Sequence, residues 1–164
     1  MRPSVRGVLL DHDERLVLFR RTVPGRAPYW SVPGGHVEPE DGTLEDTLHR
    51  ELLEELGATV SAVTPLVTVS YPWQGEVKTQ HVFGCRLVSM DPELRNGPEF
   101  EDPSRGAYEV ERVRLERSEL FARNLVPQAV AGYLSATITA LPRLIGRRPG
   151  RRADRPVRGR GAGA

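Results

Sequence analysis

The chain has 164 residues, 38% hydrophobic and 27% charged, which suits one globular domain with a modest core and is short for two. Its formal net charge of +1 conceals an asymmetry: residues 143–164 hold eight Arg and one acid, Asp154, leaving −6 on residues 1–142. No apolar run approaches the ~18 residues of a transmembrane helix, Asp11 stops the run that ends at Leu10, and the single Cys85 excludes an intramolecular disulfide or a multi-cysteine metal site. A cytoplasmic protein without a membrane partner is expected. Twenty-two Arg against one Lys is the bias that a GC-rich bacterial genome would produce.

Val5–Leu10 and Leu16–Phe19 read as two strands joined by the polar Asp11–Arg15 connection, and Tyr29–Val32 as a third, closed by Pro33-Gly34-Gly35. Thr43 with Asp46 three residues on is a variant capping box that predicts a helix from Leu44. Leu44, Leu48, Leu52 and Leu56 give it one apolar face, and Gly57 supplies its stop. Thr59–Val69 and Val77–Val88 predict two longer strands separated by a loop, 70–75, that contains Tyr71 and Trp73. Residues 89–107 read as loop, 108–115 as a strand, Ser118–Phe121 as a helical turn, and Val126–Leu141 as a final helix limited by Pro142. The order of elements predicts a mixed α/β architecture over residues 1–142, followed by a disordered Arg-rich tail over 143–164.

The chemistry concentrates on the first helix. Glu51, Glu54 and Glu55 stand at i, i+3 and i+4, so three carboxylates share one arc beside the leucine face and repel one another. Arg50 reaches Glu54 at i+4 but offsets only part of that charge, whereas a hard divalent cation with oxygen ligands would offset far more. Upstream, the Gly34-Gly35 backbone can approach a metal or phosphate closely because no side chain intervenes.

From Gly35 to Ala58 the sequence resembles the signature of the Nudix hydrolases, G-x5-E-x7-R-E-U-x-E-E-x-G-U with U apolar. Gly35, Arg50, Glu51, Glu54, Glu55 and Gly57 match, and Leu52 and Ala58 fill the U positions. The pattern departs at Asp41, which stands where the family has glutamate and lies one residue further from Arg50. The resemblance implies an α/β/α sandwich with a mixed β-sheet. It also implies Mg²⁺-dependent, or Mn²⁺-dependent, hydrolysis of a nucleoside diphosphate linked to another moiety. By the same resemblance Glu51, Glu54 and Glu55 are metal ligands, the Gly35 carbonyl is a further ligand, and Arg50 orients a glutamate. The general base stays open between a helix glutamate and Glu99, Glu101, Glu109 or Glu111.

Arg21, at the end of the second strand, is a candidate for the substrate phosphates, and Trp73 for stacking on a base. The Arg-rich tail can screen nucleic-acid phosphates but has no aromatic residue to interleave with bases, so a solvated terminus is the favoured reading. A Nudix-fold nucleotide-binding or regulatory module with little turnover is the alternative function, and a homodimer is open.

Overall fold

A computed structural model describes residues 1–97 and 100–146. Strands β1 (Ser4–Leu10), β2 (Leu16–Thr22) and β3 (Tyr29–Ser31) precede helix α1 (Leu44–Leu56); β4 (Ala58–Trp73), β5 (Glu76–Met90) and β6 (Ala107–Val113) follow. The short helices α2 (Arg117–Phe121), α3 (Gln128–Thr137) and α4 (Leu141–Leu144) end the described chain. β5 lies between β1, to which it is parallel, and β4, to which it is antiparallel; β2 lies between β3 and β6, antiparallel to both, and meets β1 at Leu10↔Leu16. The sheet is therefore mixed.

Alternation along the strands divides the core into two layers. Val5, Leu9, Val17, Phe19, Phe83 and Cys85 meet Leu48, Leu52 and Leu56 of α1 on one face. Val8, Leu10, Leu16, Leu18 and Val82 meet Val130, Leu134, Ile138 and Leu141 on the other. This is an α/β/α sandwich. Cys85 is sealed inside the α1 layer, and burial pushes its thiol up to about 12.

Helix α1 begins where its cap requires: the Thr43 hydroxyl accepts the Asp46 N–H at 3.0 Å, and Gly57 closes the helix in the left-handed conformation. Three expectations need correction. Tyr71 and Trp73 lie in β4 rather than in a loop, because a two-residue turn at Gln74-Gly75, both at positive φ, lets the strands pair out to Trp73↔Glu76. The final helix is not continuous from 126 to 141: α3 ends at Thr137, a 3₁₀ turn intervenes, and α4 follows. Pro142 sits in the first turn of α4, where its missing N–H costs nothing, so it does not limit the helical run. Packing also continues past 142, since Ile145 is fully buried and Arg86 donates to the Gly146 carbonyl at 2.7 Å. The remainder of the Arg-rich tail, from 147 onward, lies outside the described residues.

Candidate active site

β1 has β5 on one edge, and the glycine segment takes the other. The Val5, Gly7 and Val37 N–H groups pair with the carbonyls of Gly35, Pro33 and Pro3 at 2.9, 2.8 and 3.1 Å. Leucine packing then lays α1 across β1 and brings its glutamates onto this segment. Glu55, 8% exposed, accepts the Gly34 N–H at 2.6 Å. A Cβ built on Gly35 would clash with the Glu51 carboxylate oxygens, so glycine leaves room for that carboxylate to lie where it does.

Arg50 connects the remaining acids. Its Nε and Nη2 donate to the two oxygens of Asp41 at 2.9 and 2.8 Å, a bidentate pair, and Nη1 donates to Glu51 at 3.1 Å and Glu54 at 3.2 Å. Nη2 also reaches the His36 carbonyl at 3.0 Å, tying the helix to the glycine loop. Asp41 further accepts the Thr47 hydroxyl and the Glu38 N–H, both at 2.9 Å. The Arg50 hydrogen bonds, foremost, hold the Asp41 carboxyl well below the usual carboxylate range, and the same bonds push Arg50 up. The shorter acid and the extra residue before Arg50 thus still place a carboxylate on the guanidinium.

The three helix glutamates are not equivalent: Glu55 is held by backbone, Glu51 abuts Gly35, and Glu54 is the more open of the pair on Arg50, with 31% of its side chain exposed against 12% for Glu51. Among the described residues, no three His, Cys, Asp or Glu side chains form a ready metal cluster. Arg50 Nη1 bridges Glu51 and Glu54 instead. The donors nonetheless suit a hard cation. All are oxygens, the cradle at Gly35 is one a Cβ would fill, and the Gly35 carbonyl, which accepts the Val5 N–H, keeps a second lone pair. Mg²⁺ and Mn²⁺ both match such a set.

Arg21 and Trp73 come together on a cleft of about 810 Å³ between the sheet and the start of α3. Arg21 donates to the Arg105 carbonyl at 2.8 Å and stacks 3.3 Å from the Tyr108 ring centroid. Trp73 is 49% exposed at the tip of the β4–β5 hairpin. Glu109 and Glu111 flank Val110, which faces the α1 layer, so both point to the opposite side of β6. Glu109 pairs with Arg20 at 2.8 Å. Glu111 accepts from Trp30 Nε1 and Arg123; burial would raise its carboxyl, but these bonds prevail and hold it below the usual range. Glu101 is exposed in the loop before β6, and Glu99 lies outside the described residues.

The sequence reading missed Arg6, Lys78 and Gln80, which line the same cleft from β1 and β5. One signal was present: Arg6 interrupts an otherwise apolar strand, and Lys78 is the chain's only lysine.

The family model described as NUDIX domain matches residues 1–129. No curated protein matches the chain. Among solved structures, a NUDIX hydrolase from Nitrosomonas europaea superposes with a TM-score of 0.67 at 19% identity, over 85% of this chain and 89% of that one. The NUDIX domain of Shewanella oneidensis NrtR, complexed with ADP ribose, gives 0.62 at 16% identity, over 85% and 88%. A MutT protein from Methanosarcina mazei gives 0.58 at 18%, over 87% and 93%. At these identities the likeness concerns the fold.

Proposed function

The chain belongs to the NUDIX domain family, whose members generally hydrolyse pyrophosphate bonds, and from that premise we propose that it is a divalent-metal-dependent pyrophosphohydrolase. Its substrate is a nucleoside diphosphate linked to another moiety, cut by water attack at phosphorus. The observation that carries this reading is the set of oxygens on the glycine segment and α1. Glu51 lies against bare backbone at Gly35, Glu55 is fixed by the Gly34 N–H, and Glu54 is held from Arg50.

Glu51, Glu54, Glu55 and the Gly35 carbonyl would hold Mg²⁺ or Mn²⁺. The ion, when bound, neutralises charge on the diphosphate and acidifies bound water, the two needs of phosphoryl transfer. Arg50 acts as a positioning residue: Asp41 fixes its fork, and the fork fixes Glu51 and Glu54. Glu54, the more open of that pair and 3.2 Å from Arg50 Nη1, is the group assigned to accept the proton of the attacking water. Glu109 and Glu111 face away from α1 and support this assignment. Arg21 meets the substrate phosphates at the cleft and Trp73 stacks on the base.

The test is incubation with Mg²⁺ and a panel of nucleoside triphosphates, ADP-ribose, nucleotide sugars and dinucleoside polyphosphates in ¹⁸O-water, beside Glu54→Gln and Glu55→Gln. The expected result is ¹⁸O in a phosphate product and a large loss in both variants. Binding without turnover would leave a nucleotide-binding module instead, and equal turnover by the variants would remove the mechanism.

A further inference from the structure

Among the described residues, the cleft that holds Arg21 and Trp73 is lined by four cations, Arg6, Arg21, Arg26 and Lys78, and by no Asp or Glu. That is unexpected in a body whose net charge is −6. Several arginines elsewhere pair with carboxylates: Arg20 with Glu109, Arg86 with Glu14, and Arg123 with Glu111 and Glu119. Among the described residues, those of the cleft do not. Among the described residues Arg6 donates to the Val32 and Gly34 carbonyls alone, and its buried Nε has no partner. Lys78 is half-buried, its Nζ 5.6 Å from the Trp73 ring centroid, with no carboxylate partner among the described residues. Burial first, then the charge of Arg6, pushes Lys78 below the ordinary lysine value, as two like charges sharing one cavity require.

Two more features converge there. Gln128 and Ala129 of the first turn of α3 border the cleft with no side-chain cap, so the positive end of a ten-residue helix lies beside the same space. Gln80, 1% exposed, is among the residues bordering the cleft, and its buried Oε1 accepts no hydrogen bond among the described residues. Buried polar groups normally have partners, and an orphan beside a cavity is one that a ligand's donor can satisfy.

We infer that the cleft receives an anionic group that the substrate carries in addition to the diphosphate cut at α1, a phosphoryl or carboxylate held by Lys78, Arg6 and the first turn of α3. Gln80 then accepts a hydrogen bond from a neighbouring hydroxyl or amine of the same moiety. The preferred moiety is therefore charged and not a neutral sugar. The inference rests on the hydrolase reading only in taking the substrate as the source of the anion; the anion site itself depends on neither metal nor turnover.

The test uses the full ¹⁵N-labelled chain in metal-free buffer, titrated with inorganic phosphate in one arm and acetate in the other, while amide shifts are followed. Saturable shifts at Gln128, Ala129 and Lys78 are expected, and whichever anion saturates at lower concentration identifies a phosphoryl or a carboxylate group. Lys78→Met is expected to weaken that binding on the order of tenfold, the worth of one charge-assisted hydrogen bond. Glu54→Gln is expected to leave it within about twofold because Glu54 does not line the cleft. No saturable shift at the α3 amides, or the same affinity in Lys78→Met, would overturn the inference. A hydrolase without this site would show turnover and no such shift; a site without hydrolysis would show the reverse.

Discussion

Two regions of this molecule carry unbalanced charge of opposite sign, and they differ in how that charge is managed. At α1 the carboxylates are wired: Arg50 holds Asp41, Glu51 and Glu54 together, and the backbone of Gly34 holds Glu55. In the cleft four cations line one cavity with no acid beside them among the described residues. A wired acidic cluster is preorganised for a small cation that needs fixed oxygens. An unpaired basic cavity suits a larger anionic ligand that brings its own oxygens. β1 joins the two, since Val5 anchors Gly35 while Arg6, facing the other way, reaches the Gly34 carbonyl.

The largest expected effect breaks the acidic region alone. Glu54→Gln should lower kcat at least about 100-fold in the turnover assay, since a carboxylate assigned to both metal and proton is lost. Arg50→Lys should follow, with a loss of roughly 10- to 100-fold, because an ammonium cannot reproduce the bidentate fork on Asp41; metal half-saturation should rise alongside, which a purely structural defect would not produce. On the cleft side, Trp73→Ala should raise KM roughly tenfold with kcat little changed, the size of one base-stacking contact. If kcat fell instead, the separation of binding from chemistry would be wrong.

Smaller effects probe the wiring. Asp41 titrates below its unfolded value in the folded chain, so its contribution to stability is present above about pH 4 and is lost as pH falls further. Urea midpoints should therefore place wild type above Asp41→Asn at pH 7, with the gap closing in strong acid. Thr43→Ala removes the cap of α1 and should cost about 1 kcal/mol in the same measurement, without altering metal dependence.

The acidic region was legible in the sequence because it is local. Thr43, the leucine spacing, Glu51-x-x-Glu54-Glu55 and Gly57 all lie within one helix and its caps, where a period of 3.6 converts sequence directly into a face. The role of Asp41 was only half legible, since spacing showed the extra residue but not that the loop would still bring the carboxylate to Arg50. The cleft was mostly illegible. Arg6, Lys78 and Gln128 are far apart in the chain and line one cleft because β1 pairs with β5 and the start of α3 borders the same space. Trp73 and Arg21 were picked out singly by residue type, but their shared cavity depended on the Gln74-Gly75 turn, which keeps Trp73 in β4 at the tip of its hairpin.

The central claim is that the α1 carboxylates and the Gly35 backbone form the cation site. It is tested most directly by titrating Mn²⁺ into the metal-free protein and following the free-ion paramagnetic resonance signal, in wild type and in Glu54→Gln, with Mg²⁺ as competitor. Saturable binding that Mg²⁺ displaces and that weakens at least about tenfold in the variant is the expected result. Equal affinity in the two proteins, or no saturable binding in wild type, would contradict it.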